Sequence, residues 1–100
     1  MAPGTCIKVI FRARVKESIP AEFIQRIRHE AQQIPGFLGL QVSMNGDQET
    51  AISYWQHQTA IDQWAENPVH QTAKAAKDRF YSEFSLELLP HQPIPPEFIK

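Results

Sequence analysis

The chain predicts an α+β domain, a four-stranded antiparallel sheet with helices on one face, in the order β-α-β-β-α-β. Three observations carry that prediction. Residues 6–16 and 81–89 alternate with a period of two, as half-buried strands do. Asn45-Gly46-Asp47 separates two strand-like runs, and Asn and Gly tolerate the positive φ that tight hairpins need. Between the strands lie two stretches whose apolar residues recur at helical spacing.

The first strand sends Ile7, Val9, Phe11, Ala13 and Val15 one way and Lys8, Arg12, Arg14 and Lys16 the other. Pro20 opens the first helix, where its missing N–H costs nothing. Phe23, Ile24, Ile27, Ala31 and Ile34 form that helix's apolar stripe, and Pro35-Gly36 ends it. Phe37 to Asn45 is the second strand, with Leu38, Leu40, Val42 and Met44 on one face. Thr50 to Gln56 is the third, rich in β-formers. Thr59 is the expected cap of the second helix, which presents Ile61, Trp64 and Ala65. Asn67-Pro68 restarts the helix with Asn as cap and Pro at its first position, and Val69, Thr72, Ala73, Ala76 and Phe80 follow as a stripe. Tyr81 to Leu89 is the last strand, with Phe84, Leu86 and Leu88 inward. Short connections and right-handed crossovers make the whole a ferredoxin-like fold in which the first and last strands are neighbours. Residues 1–90 are then the domain, and 91–100, with three prolines, an extended tail that is either an arm onto a partner or a disordered end.

Composition narrows the function. Ten basic against eleven acidic residues leave a charge of −1, so there is no field to draw nucleic acid. No apolar run is long enough to span a membrane, and Met1 to Thr5 lead into a strand without the regions of a signal peptide. The lone Cys6 fits a reducing cytoplasm. Four scattered histidines and one cysteine match no metal-ligand spacing, and the glycines form no phosphate loop. No cofactor is expected.

Several residues carry two readings. His70, Lys74, Lys77 and Tyr81 line one flank of the second helix stripe, placing a base (His70) beside a hydrogen-bond donor (Tyr81) and a cation (Lys77); alternatively His70 is a half-exposed boundary histidine. Trp64 and Trp55 form a flat wall for an aromatic ligand or are ordinary core aromatics. Tyr54 alternates with Trp55, so only one of the two faces the helices. Arg12 either stabilises an enolate oxygen or pairs across strands with Glu83 or Glu87. The second sheet face, with Ile10, Arg12, Arg14, Gln41, Ser43, Glu83, Ser85 and Glu87, is either solvated or meets a second sheet.

Three segments resemble the antibiotic biosynthesis monooxygenase family of dimeric α+β barrels. They are Ile34-Pro35-Gly36-Phe37-Leu38-Gly39; Ala51 to Gln56 followed by Ala60, Ile61 and Trp64; and Asn67-Pro68-Val69-His70 followed by Arg79-Phe80-Tyr81. The resemblance spans residues 6 to about 90. It implies a homodimer with facing sheets and a pocket between helices and sheet in each subunit. It also implies dioxygen as co-substrate and a small aromatic or quinone-like molecule, oxidised without metal or flavin. His70 and Tyr81 are then the catalytic candidates, and Trp64, Trp55, Arg12 and Lys77 the substrate-binding ones. Fold alone does not select among the family's activities, and a non-catalytic ligand-binding or stress-related dimer stands as the alternative. Haem degraders in the family resemble this chain at Trp64, but their iron-binding His falls on Lys74 and their first-strand Asn on the Phe11-Arg12 region. A protonated lysine is a poor iron ligand, which leaves His70, one turn earlier, as the only substitute.

Overall fold

In the computed structural model, residues 4–99 are described; Met1 to Pro3, on which part of the leader reading falls, and Lys100 lie outside the described residues. The elements run β1 (Thr5–Val15), α1 (Ala21–Gln32), β2 (Phe37–Asn45), β3 (Gln48–Trp55), α2 (Gln58–Glu66), α3 (Pro68–Ala75), α4 (Lys77–Phe80) and β4 (Tyr81–Pro93), followed by a 3₁₀ turn at Pro96–Phe98. The strands form one antiparallel sheet in the order β2-β3-β1-β4. The order of elements and the adjacency of first and last strands are those the alternation predicts.

Local chemistry explains most boundaries. Gly36 holds φ at +98°, which a side chain rarely adopts, and so turns the chain from α1 into β2. Gly46 does the same at the β2–β3 hairpin with φ +64°. The Asn67 side chain accepts from the Val69 N–H at 2.8 Å and the His70 N–H at 3.4 Å, capping α3 as expected. At α2 the expectation is corrected: the cap is His57, not Thr59. The His57 Nδ1 accepts from the Ala60 N–H at 3.2 Å, and the helix has already begun at Gln58. Pro20 is the residue before α1 rather than its first residue. The long stripe after Asn67 is broken at Ala76 into α3 and α4.

Register assigns the faces. Rows of side chains run across the sheet: Phe37, Trp55 and Ile7; then Leu40, Ser53, Val9 and Leu88; then Val42, Ala51, Phe11 and Leu86; then Met44, Glu49, Ala13 and Phe84. Lys77 of α4 lies over the Phe84 ring, so this is the helix-side face. Trp55, only 2% exposed, packs edge-on against Phe37 at 5.0 Å on this side. Tyr54 therefore points to the other face.

The helices cover only part of their side. Val42, Met44, Phe84, Leu86 and Leu88 have the inward parity the sequence predicts, yet they are 41–63% exposed. Parity assigns a side; it does not bring a helix over it.

The opposite face holds charge pairs, of which those to Glu87 and Glu83 are the ones cross-strand spacing predicts and that to Asp47, in the β2–β3 turn, is not. Arg12 meets Glu87 at 3.5 Å, and Arg14 meets Asp47 at 3.3 Å and Glu83 at 3.7 Å. The same face also has an apolar portion covered by the C-terminal segment. β4 continues four residues past Leu89, to Pro93, and the chain then folds back over its own sheet. Phe98 packs on Tyr54 with ring centroids 5.4 Å apart. It fills the space left by Gly39, where an added Cβ would stand 2.3 Å from the Phe98 ring. Tyr54 Oη donates to Gln41 Oε1 at 2.8 Å, and Gln41 Nε2 donates to Glu97. Cys6, Ile10 and Tyr54 are buried on this side, so the core lies on both faces of the sheet.

Candidate functional site

The residues singled out from the sequence fall into three places. The first is the corner between α2 and α3. Here the Trp64 and His70 rings lie 4.9 Å apart at 45°. The Pro68 restart creates this corner by ending α2 and beginning α3 four residues after Trp64. His70 is half-buried, and its Nδ1 is buried without a hydrogen-bond partner. Burial pushes its pKa below the ordinary histidine value; a hydrogen bond to the Ala65 backbone opposes this, and Lys74 adds to it. The imidazole is thus held neutral, with an unused nitrogen beside an indole. Buried polar atoms without partners are rare, and each calls for a reason.

The second place is the uncovered end of the helix-side sheet face. Tyr81 Oη donates to the Glu49 carboxylate, at 3.2 and 3.4 Å from its two oxygens. The side chain reaches from β4 to β3 over the central strand, and the small Ala13 side chain leaves room for it. Phe11 packs edge-on against Tyr81 at 5.2 Å and stacks on Phe84 at 6.4 Å. Lys77 Nζ sits 4.6 Å above the Phe84 ring. Burial raises the Glu49 pKa, and the Tyr81 hydrogen bond offsets part of that rise. Burial and the neighbouring carboxylate raise the Tyr81 phenol well above its ordinary value. A phenol engaged in this way is not free to donate to a ligand oxyanion.

Glu49 went unnoticed in the sequence, although a signal existed. It is the one charged residue at a helix-side position in the alternation of β3, in line with Ala51, Ser53 and Trp55. The third place is the far face of the sheet, where Arg12 is paired with Glu87. Arg12 therefore does not share a site with the others. Trp55 is enclosed by Phe37, and its indole Nε1 donates to Ser53 Oγ at 2.9 Å, which makes it a core residue rather than an open wall. The His70 ring packs on Trp64, whereas Tyr81 packs on Phe11 and donates to Glu49, so the ring contacts and hydrogen bonds do not pair the base with the donor expected beside it. Among the described residues, no three His, Cys, Asp or Glu side chains come together as a metal-binding group.

The fold recurs in solved structures. A conserved protein from Methanosarcina mazei Go1 matches with TM-score 0.76 at 16% identity, covering 89% of this chain and 95% of that one. SnoaB, a cofactor-independent oxygenase from Streptomyces nogalater, matches with TM-score 0.74 at 17% identity, covering 92% and 98%. Rv0793 from Mycobacterium tuberculosis matches with TM-score 0.76 at 12% identity, covering 90% and 96%. At these identities the likeness is one of fold. Comparison with curated proteins gives no match. The sequence itself matches the antibiotic biosynthesis monooxygenase family over residues 6–76, from the first strand through the Trp64–His70 corner to the end of α3, and the chain belongs to that family.

Proposed function

We propose that this protein is a cofactor-independent monooxygenase of a small aromatic or quinone-like molecule, working in the cytoplasm as a homodimer. The observation that carries the proposal is the neutral His70 imidazole, with its unpartnered Nδ1 against Trp64. Cofactor-free oxygenation asks the protein for one chemical act, removal of a proton from an acidic C–H or O–H of the substrate. The resulting anion is itself the electron donor to dioxygen. A neutral histidine suits that act, because its lone pair is available at neutral pH. Trp64 supplies a flat apolar surface for the ring and excludes water from the anion. Family membership and the fold shared with SnoaB support the oxygenase reading.

A second reading, a ligand-binding dimer without catalysis, is favoured by one observation: Tyr81, the expected donor to developing negative charge, is already committed to Glu49. An oxygen electrode separates the two. Hydroxyquinones and anthrones are offered in the presence of chelator. Uptake that is lost in His70→Ala and Trp64→Ala is expected. A His70→Ala protein that consumes oxygen at the unchanged rate would remove His70 from the mechanism.

A further inference from the structure

Helix α2 is held at its start by a side chain of the type that changes charge near neutrality. His57 is exposed, and its Nδ1 accepts from the Ala60 N–H at 3.2 Å, a donor it shares with the His57 carbonyl oxygen, also at 3.2 Å. A ring nitrogen that accepts carries no proton, so the proton of the capping form is on Nε2. The usual caps, Ser, Thr, Asp and Asn, accept through an oxygen that remains an acceptor throughout the physiological range. Histidine does not. In the imidazolium both ring nitrogens are donors, and an Nδ1–H would face the Ala60 N–H across 3.2 Å.

The cap sits on a seam between two elements. A Cβ at Gly36, in the turn from α1 to β2, would stand 3.0 Å from the Ala60 Cβ and 3.1 Å from His57 Cε1 and Nε2. Ala60 is fully buried. The ring is thus packed on Gly36 at close contact, and turning its Nδ1 away from Ala60 disturbs the seating of the whole first turn. No acidic residue stands in that turn to replace the cap. The nearest carboxylate on the helix, Asp62, accepts from Gln58 Nε2 at 3.0 Å. Pro35, Gly36 and Phe37 on one side and Trp55 and Gln56 on the other bring no ionisable side chain. Among the described residues no charged group pairs with His57. A cation at this position also opposes the positive end of the helix dipole. At nine residues, α2 is too short to stand on helix propensity alone.

We infer that His57 is a proton-operated latch, which seats the first turn of α2 on the Gly36 turn when neutral and releases it when protonated. The other end of α2 is tied separately, by the Asn67 N–H donating to the Trp64 carbonyl at 3.1 Å, so the release is confined to the start of the helix. Acidification through the histidine range loosens one edge of the helix layer and leaves the sheet intact. The latch is independent of the proposed oxygenase activity.

The test is an NMR titration of the full chain from pH 8 to pH 5 that reads the His57 ring nitrogens and the backbone shifts of Gln58 to Ile61. The neutral ring is expected as the Nε2–H tautomer. The helical shifts of the first turn should fall with the same midpoint as the ring, while those of α1 hold. Hydrogen exchange of the Ala60 amide, corrected for its intrinsic rate, should show the opening equilibrium of the turn rising about fivefold, the factor one ordinary cap represents. His57→Asn supplies an oxygen cap that does not titrate, and its first turn should stay closed across the range. A neutral ring protonated at Nδ1, a first turn that holds while the ring titrates, or the same fall in His57→Asn would each overturn the latch.

Discussion

Gly39→Ala is the sharpest perturbation the structure offers. An added methyl at this position falls 2.3 Å from two Phe98 ring atoms and 2.5 Å from a third, all well inside contact distance. Gly39 lies in a paired strand, and its φ is not in the left-handed region, so the backbone itself accepts alanine. The ring must leave instead. Losing the burial of a phenylalanine side chain costs about 1.5–3 kcal/mol. Phe98 is only partly buried, which places its burial near the lower end, and the lost ring contact with Tyr54 adds about 0.5–1.5 kcal/mol. A loss of about 2 kcal/mol follows, or about 8–12 °C in Tm for a domain of this size. Thermal denaturation of four proteins forms a cycle: wild type, Gly39→Ala, Phe98→Ala and the double variant. If Phe98 occupies the glycine notch, Gly39→Ala is nearly silent in the Phe98→Ala background, because the ring it displaces is gone. Additive losses from the two substitutions would refute the docking of the C-terminal segment on this face.

Three further outcomes follow from the site. Glu49 has a raised pKa in the fold, so its stabilising contribution is full below its unfolded value and is lost as pH rises through the folded value. Glu49→Gln should therefore be at least as stable as wild type at pH 7 by urea denaturation, and clear destabilisation would show that the carboxylate is structural. His70 has the opposite sign: its folded pKa is lowered, so its contribution is complete above the unfolded value of about 6.5 and declines as pH falls below it. His70→Phe should flatten the fall in Tm between pH 7 and pH 5, and an unchanged slope would contradict the buried neutral imidazole. Asn67→Ala removes the cap of α3 and should cost about 1 kcal/mol. It should also lower any His70-dependent oxygen uptake, since the same cap begins the helix that carries His70; a loss of stability with uptake unaffected would uncouple the cap from the site.

Trp55 and Trp64 show how far residue type alone can mislead. Both are aromatic and both lie near the α2 end of the fold. Trp55 is closed off by Phe37 and Ser53, and replacing it with alanine would cost about 3–5 kcal/mol as a core residue. Trp64 sits over a histidine with a free nitrogen. A tryptophan in the sequence carries no mark of which neighbour will cover it.

The sequence by itself determined the element order, the hairpin at Gly46, the break at Asn67-Pro68 and the side of the sheet for the regularly paired strand residues, whereas register shifts put Phe37 and Tyr81 on the helix side against the alternation. These are local properties: φ preferences, caps and a period of two, each written within a few residues. The alternation even placed Arg12 on the face away from the helices, with Glu83 and Glu87 as its neighbours. Only the tertiary structure decided which distant groups meet. It took the Tyr81 hydroxyl across Ala13 to Glu49, where a helical projection had set it beside His70. It folded Phe98 into the space above Gly39, and it left Val42, Met44, Phe84 and Leu86 uncovered. Periodicity encodes direction relative to the chain's own axis. Coverage and contact depend on where other elements come to rest, and no local pattern holds that information.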